Sequence, residues 1–244
     1  EFGKLGHNAV VCWGSSPPPS LSALARETEQ LVVAHIYEGP FKIDSDAGKL
    51  LPYVLDWTGL YVNTRRGCDL EYFGNAFPFE HNAALVRACA GMREKYIPEF
   101  TAPDGWRHYV AVIVQDRSDQ SFAFAEAGQM SPAELVRLAA AEHPDLAVKI
   151  IVSATGDPSD EIESALRQEL GAEFTDRIEF IPEDERFHVL VAAKAVFTVN
   201  SPLASAAVLA RRPVTVFAPC FYAGWGLTED RGTVLRRNRQ LGLD

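Results

Sequence analysis

Tyr109-Val110-Ala111-Val112-Ile113-Val114, then Ser131-Pro132-Ala133-Glu134, then Val148-Lys149-Ile150-Ile151-Val152 decide the fold of this chain. The first run is apolar without alternation, the pattern of a strand buried on both faces of a parallel sheet. Ser131 and Glu134 stand at capping-box spacing with proline at the first helical position, and a helix is expected to run on to Glu142. The third run is again a strand. Strand, helix and strand in succession make a βαβ unit, whose strands lie parallel.

The alternation continues in both directions. Toward the C-terminus it predicts a helix from Asp160 to Leu170, a strand at Ile178-Glu179-Phe180-Ile181 and a helix from Phe187 to Lys194. A strand from Ala195 to Val199, a helix from Ser205 to Ala210 and a strand from Pro213 to Phe217 follow. Toward the N-terminus, Asn8 to Trp13 reads as a strand, Gly14 to Pro19 as a turn, Leu21 to Gln30 as a helix capped by Ser20, and Leu31 to Ile36 as a strand. Tyr53 to Asp56 and Gly59 to Val62 flank Trp57-Thr58, which predicts a hairpin with Asp56 as a turn former. Asn82 to Tyr96 is helical, and Ile97 to Arg107, with Pro98, Pro103 and Gly105, reads as a linker. The expectation is an α/β fold of two Rossmann-like domains, residues 1–100 and 101–244, facing a cleft in the GT-B manner. No repeat of fixed period is present, which argues against a solenoid.

Composition narrows the function. A net charge of −10 disfavours a general nucleic-acid surface. No apolar run approaches the ~18–20 residues that span a bilayer. Cys12, Cys68, Cys89 and Cys220 have no metal-ligand spacing, so no metal site is expected. Cys12 and Cys220 lie in apolar runs and read as reduced, buried thiols of a cytoplasmic protein. His35 and His188, also in apolar runs, read as structural. Arg65-Arg66 and Arg231, Arg236, Arg237 and Arg239 read as solvated surface that could also meet an anionic ligand. The opening Glu1-Phe2-Gly3-Lys4 has no signal-peptide core and reads as an internal start.

Phe221-Tyr222-Ala223-Gly224-Trp225-Gly226-Leu227-Thr228-Glu229-Asp230 carries the chemistry signal. It follows a strand, and ligands of open α/β sheets bind at the carboxyl ends of strands. Glycines admit close approach, and aromatics offer ring faces to a base or sugar. The same spacing also suits an aromatic corner that closes the core.

The stretch closely resembles a signature of the capsular-polysaccharide synthesis family, the bacterial β-Kdo glycosyltransferases. Other segments resemble that family's motifs in the same order. They are Val11-Cys12-Trp13-Gly14, Tyr37-Glu38-Gly39-Pro40-Phe41, Tyr53 to Tyr61, Cys68-Asp69-Leu70-Glu71, Gln115 to Ser121 and Thr198-Val199-Asn200-Ser201. The resemblance implies transfer of Kdo or a related sugar from a CMP donor to a glycan or glycolipid. It implies a retaining mechanism, no cofactor beyond the donor, and a cytoplasmic location peripheral to the inner membrane or within a polysaccharide-synthesis complex. It makes Glu38 the nucleophile, in place of the family's aspartate. It assigns donor binding to Gln115, Ser121, Thr155, Asn200, Ser201, Tyr222, Trp225 and Gly226. Asn200-Ser201, opening a helix, reads as a phosphate cradle or as a plain N-cap. The chain departs from the family twice. Ser153-Ala154-Thr155-Gly156-Asp157 replaces a His-Pro motif, and Ala206 replaces a glutamate. These losses leave a second expectation, a non-catalytic binding or scaffold subunit, and a third, a UDP- or GDP-sugar donor. The family also continues past this point, so the closing return helix is expected to be missing.

Overall fold

The computed structural model describes residues 9–14, 18–28, 31–38, 43–45, 48–50, 53–59, 61–97, 108–116, 119, 121–122, 130–153, 159–171 and 176–243. In the first part, β1 (Ala9–Trp13), α1 (Pro19–Glu27), β2 (Val32–Glu38), the short pair β3 (Ile43–Ser45) and β4 (Gly48–Leu50), and β5 (Tyr53–Asp56) precede α2 (Asp69–Ala76) and α3 (Ala83–Tyr96). β1 and β2 run parallel and β5 joins β2 antiparallel, in the order β1-β2-β5. The expected linker falls outside the described residues except for Ile97.

The second part holds the main sheet. Its elements are β6 (Tyr109–Gln115), α4 (Pro132–Glu142), β7 (Ala147–Ser153), α5 (Ser159–Leu170), β8 (Ile178–Phe180), α6 (Arg186–Ala192), β9 (Val196–Thr198), α7 (Ser205–Leu209), β10 (Val214–Val216) and β11 (Glu229–Asp230). Six parallel strands lie in the order β11-β10-β9-β6-β7-β8. Every residue of β6 is buried, as its unbroken apolar run requires. Alternate residues serve opposite faces. Val110, Val112 and Val114 pack with Leu135, Val136 and Leu166 of α4 and α5. Ala111 and Ile113 pack with Val189, Leu190, Ala207 and Val208 of α6 and α7. The chain winds outward from β6 through β7 to β8, then returns to β9 on the other side of β6. The order therefore reverses between β6 and β9, and a crevice forms at the carboxyl ends of strands at such a switch point.

Two local readings need correction. α1 starts at Pro19 with Pro18 before it and no side-chain cap, so Ser20 lies inside the helix. Proline at the first helical position has a suitable φ and no N–H to satisfy. Among the described residues Gly59, Tyr61 and Val62 form no strand, so the Tyr53–Val62 hairpin reading is not met. The chain turns after Asp56, whose carboxylate Oδ1 accepts from the backbone N–H groups of Thr58 at 3.1 Å, Gly59 at 2.9 Å and Asp69 at 3.1 Å. Asp56 is 1% exposed and acts as the turn former expected of it. Cys68-Asp69-Leu70-Glu71 opens helix α2, and Thr-Glu-Asp of the aromatic stretch ends in strand β11.

The capping box of α4 forms as read. Ser131 Oγ accepts from Glu134 N at 3.1 Å and Glu134 Oε2 accepts from Ser131 N at 2.6 Å. After β11 the chain returns as irregular backbone to the first part. Arg239 Nη1 donates to Phe77 O at 2.9 Å, Asn238 N to Asn75 Oδ1 at 3.1 Å, and Arg93 Nη1 to Leu243 O at 2.5 Å.

Candidate functional site

Gln115 is the last residue of β6, and Asn200 and Ser201 follow β9. The β6–β9 register sets Ile113 opposite Thr198, which brings Gln115 level with Asn200 at the switch point. The side chains meet there. Asn200 N donates to Gln115 Oε1 at 3.1 Å, and Asn200 Nδ2 donates to Ser121 O at 2.7 Å. Gln115 Nε2 donates to Ser121 Oγ at 2.9 Å, and Ser121 Oγ donates to Asp119 Oδ1 at 2.5 Å. Asn200 Oδ1 has no partner among the described residues, although Asn200 is only 1% exposed.

Ser201 is engaged internally. Its N–H donates to Thr198 Oγ1 at 3.1 Å and its Oγ accepts from Leu203 N at 3.3 Å. Its carbonyl accepts from Tyr222 OH at 2.7 Å and from Ala204 N at 3.2 Å. The phosphate-cradle reading of this segment is therefore corrected to the N-cap reading. Its amides already have acceptors, and the helix it opens is a three-residue turn, Pro202–Ala204, followed by the five residues of α7.

The aromatic stretch is a corner. Tyr222 and Trp225 are buried, with Trp225 Nε1 donating to Phe221 O at 2.9 Å. Trp225 lies against Gly74 of α2, where an added Cβ would stand 2.7 Å from a ring carbon, and the Arg237 guanidinium sits 4.6 Å from its ring centroid. Neither ring presents a free face to a ligand, so the expected stacking role of Tyr222 and Trp225 gives way to packing. Gly226 has φ +82°, which strains any other residue, and its neighbour there is the Gln240 side chain. Thr155 lies outside the described residues. Glu38 ends β2, paired in backbone register with Tyr53, and its side chain falls outside the described residues.

A line of rings that sequence reasoning missed connects β2 to this corner. Tyr37 stacks on Tyr61 at 5.1 Å, and Tyr61 meets Phe221 edge-on at 4.8 Å. Phe221 in turn meets Tyr222 at 5.0 Å, whose hydroxyl reaches Ser201. The motif that contains Tyr61 was the available signal. Burial first, and the nearby Asp119 carboxylate second, push the Tyr61 hydroxyl up to about 12, so it is neutral at ordinary pH.

The arginines after the corner are paired within the protein; Arg231 and Arg236 are exposed, as the surface reading expects, whereas the side chain of Arg237 is buried. Arg231 forks onto Glu142 and also bonds Glu229. Glu142 is held below the usual carboxylate range mainly by that hydrogen bond. Arg236 Nε donates to Glu71 Oε1 at 2.8 Å, and Arg237 Nη1 lies 2.6 Å from Glu71 Oε2, close but off the hydrogen-bond axis. Arg239 bonds Phe77 O and lies 3.7 Å from Glu80. His35 Nδ1 lies 3.1 Å from Gly14 O, in keeping with a structural role. Cys12, Cys68 and Cys220 are buried free thiols and Cys89 is exposed. Among the described residues no group of His, Cys, Asp and Glu could hold a metal, and no helix is long and apolar enough to cross a membrane. Beside the polar cluster a cavity of about 220 Å³ is bounded by Gln115, Phe122, Met130, Leu135 and Val199.

Residues 102–241, which contain the six-stranded sheet, the polar cluster and the corner, match the family model described as "Capsule polysaccharide biosynthesis protein". The chain belongs to that family. The lipopolysaccharide-processing protein LpsZ of Rhizobium meliloti is 28% identical over 210 residues, which cover 80% of this chain and 46% of LpsZ. The chain thus spans about half the length of that curated relative. Two solved structures of Thermosulfurimonas dismutans KpsC share its fold. The beta Kdo 2,7 transferase superposes with a TM-score of 0.68 at 21% identity, covering 99% of this chain and 75% of that one. The beta Kdo 2,4 transferase superposes with a TM-score of 0.69 at 23% identity, covering 97% and 77%. The capsule family's α/β fold with a parallel sheet is thereby established for this chain, and the resemblance read from the sequence holds.

Proposed function

We propose that this chain is part of a retaining glycosyltransferase of surface-polysaccharide synthesis that uses a CMP-activated acidic sugar such as Kdo. The observation that carries the reading is the meeting of Gln115, Ser121 and Asn200 at the switch point of the parallel sheet, where open α/β sheets receive ligands. The donor nucleotide is assigned to that edge. The cavity of about 220 Å³ beside it is smaller than the usual ligand pocket of roughly 300–1,000 Å³, so it takes one part of the donor only. The first part of the chain is assigned to the acceptor, a glycan or glycolipid, across a GT-B cleft. The assigned place of work is the cytoplasmic side of the membrane surface.

Glu38 is the proposed nucleophile. Its carboxylate would attack the anomeric carbon as the bond to the CMP phosphate breaks, with CMP leaving as the anion. The acceptor hydroxyl would then displace Glu38 as a free carboxylate and lose its proton to water. No resident cofactor is needed. The line of rings from Tyr37 to Tyr222 supports the reading, because it ties the strand that ends at Glu38 to the cluster that holds Asn200.

Calorimetry with CMP, UDP, GDP and ADP tests the donor assignment, with selective binding of CMP expected. Turnover of CMP-Kdo by the wild type and its loss in Glu38→Gln test the chemistry. Ala206 favours a second reading, a binding or scaffold subunit without catalysis. It is buried in the first turn of α7 and places a methyl group where the family resemblance leads one to expect a carboxylate. CMP binding with no turnover in the presence of lipid-linked or soluble glycan acceptors would decide for that reading.

A further inference from the structure

We infer that Asn200 Oδ1 receives a hydrogen-bond-donating group of the nucleotide, a ribose hydroxyl or the exocyclic amine of the base. The inference rests on the nucleotide-sugar reading above. Its basis is the pairing of the donors in the cluster. Seven nitrogen donors converge on the ends of β6 and β9, and each makes at least one hydrogen bond to a protein acceptor. They are the backbone N–H groups of Ser121, Asn200, Ser201, Leu203 and Ala204 and the carboxamide groups of Gln115 and Asn200.

With its backbone N–H groups already bonded within the protein, this edge is a poor phosphate cradle. It offers acceptors instead. Asp119 holds its carboxylate against Ser121, and Asn200 presents a carboxamide oxygen that accepts from no described residue. The orientation of that carboxamide is fixed, because Nδ2 must face Ser121 O at 2.7 Å and Oδ1 is turned the other way. A buried acceptor without a donor is destabilising, and a ligand O–H or N–H removes the cost on binding. The two groups of CMP that can donate at neutral pH are its ribose diol and the exocyclic amine of cytosine. Both satisfy the same oxygen, and they differ in which analogue loses affinity.

Calorimetry on the wild-type chain with CMP, 2′,3′-dideoxycytidine monophosphate and UMP separates them. One of the two analogues is expected to bind about tenfold more weakly than CMP, the loss that accompanies an unmet buried hydrogen bond. A weak dideoxy ligand identifies the ribose, and a weak UMP identifies the base amine. Asn200→Ala, at unchanged melting temperature, is expected to bind CMP and that analogue alike. Equal binding of all three ligands by the wild type would overturn the inference alone and leave Oδ1 to a buried water. Weakening of all three by one factor in Asn200→Ala would overturn it as well. Failure of every nucleotide to bind would instead overturn the donor assignment, and this inference with it.

Discussion

Glu71 shows at the scale of one residue why the arginine-rich tail reads as surface in sequence and is paired in the fold. Its sequence neighbours, Leu70 and Tyr72, are exposed, while the carboxylate is buried. It faces Arg236 and Arg237, more than 160 positions later, and the side chains of Glu71 and Arg237 are each 6% exposed. Nothing local in either segment announces the pairing. Removing one partner of such a pair leaves a charge without compensation, at a cost of about 3–5 kcal/mol. Glu71→Ala is therefore expected to lower the unfolding free energy by about 3 kcal/mol in urea titrations. A loss below about 1 kcal/mol would mean that water reaches Arg237 and the pair behaves as a surface one. The cysteines allow a second test. Burial pushes the Cys220 thiol up to about 12 and raises that of Cys68, so both remain protonated and unreactive near pH 8. Alkylation of the native protein at that pH, read by peptide mass, is expected at the exposed Cys89, with Cys12, Cys68 and Cys220 labelled only after denaturation. Early labelling of Cys220 would contradict the closed corner.

The elements differ in how far their sequences specify them. β6 and β7 are legible because burial on both faces leaves an unbroken apolar run. α4 is legible because the four residues from its N-cap, Ser131 to Glu134, contain both halves of a capping box. α2 is not, since it exposes Leu70, Tyr72 and Phe73, buries Glu71 and contains Gly74, which inverts the usual amphipathic pattern. The false hairpin at Trp57-Thr58 has a related cause. Alternation in Gly59 to Val62 suits a strand, but Asp56 captures three backbone N–H groups and commits the chain to a turn. The cap on α4 carries a testable magnitude. Ser131→Ala is expected to cost about 1 kcal/mol, measured by thermal or urea unfolding at neutral pH. Glu134 in the same box is held below its ordinary value near 4.5 by hydrogen bonds from Ser131. A depressed carboxylate contributes stability above its unfolded pKa and loses it as pH falls through the folded one. The difference between wild type and Glu134→Gln is thus expected at neutral pH and to vanish on acidification below that range. A difference that grows with acid would reverse the assignment.

For the whole molecule, the site was legible as residue types and not as a bonding pattern. The family resemblance picked out Gln115, Ser121, Asn200 and Ser201. Which of their donors remain available depends on the register between β6 and β9, set by strands more than 80 positions apart. The aromatic stretch was ambiguous for the same reason. Its rings close on α2, on Tyr61 and on the returning tail, all distant in sequence. That tail links the second part of the molecule to the first. It supplies the Glu71 ion pairs, the Asn75 and Phe77 hydrogen bonds, and a bond from Leu241 N to Trp225 O at 2.8 Å. The six-stranded sheet, by contrast, has cores on both faces, to which the tail adds only the partly buried Val234 and Leu243 on one side. Local opening follows the elements with the fewest independent buried contacts. Deletion of residues 233–244 is therefore expected to strip hydrogen-exchange protection from α2 while β6 and β7 keep theirs. Glu71→Ala should reproduce part of that loss. The mechanism also fixes where the effect stops, because α4 and α5 touch neither the tail nor α2 through any of these bonds. Simultaneous loss of protection in α2 and β6 would mean that the molecule unfolds as one cooperative unit, with the tail as part of its core rather than the fastening between its two parts.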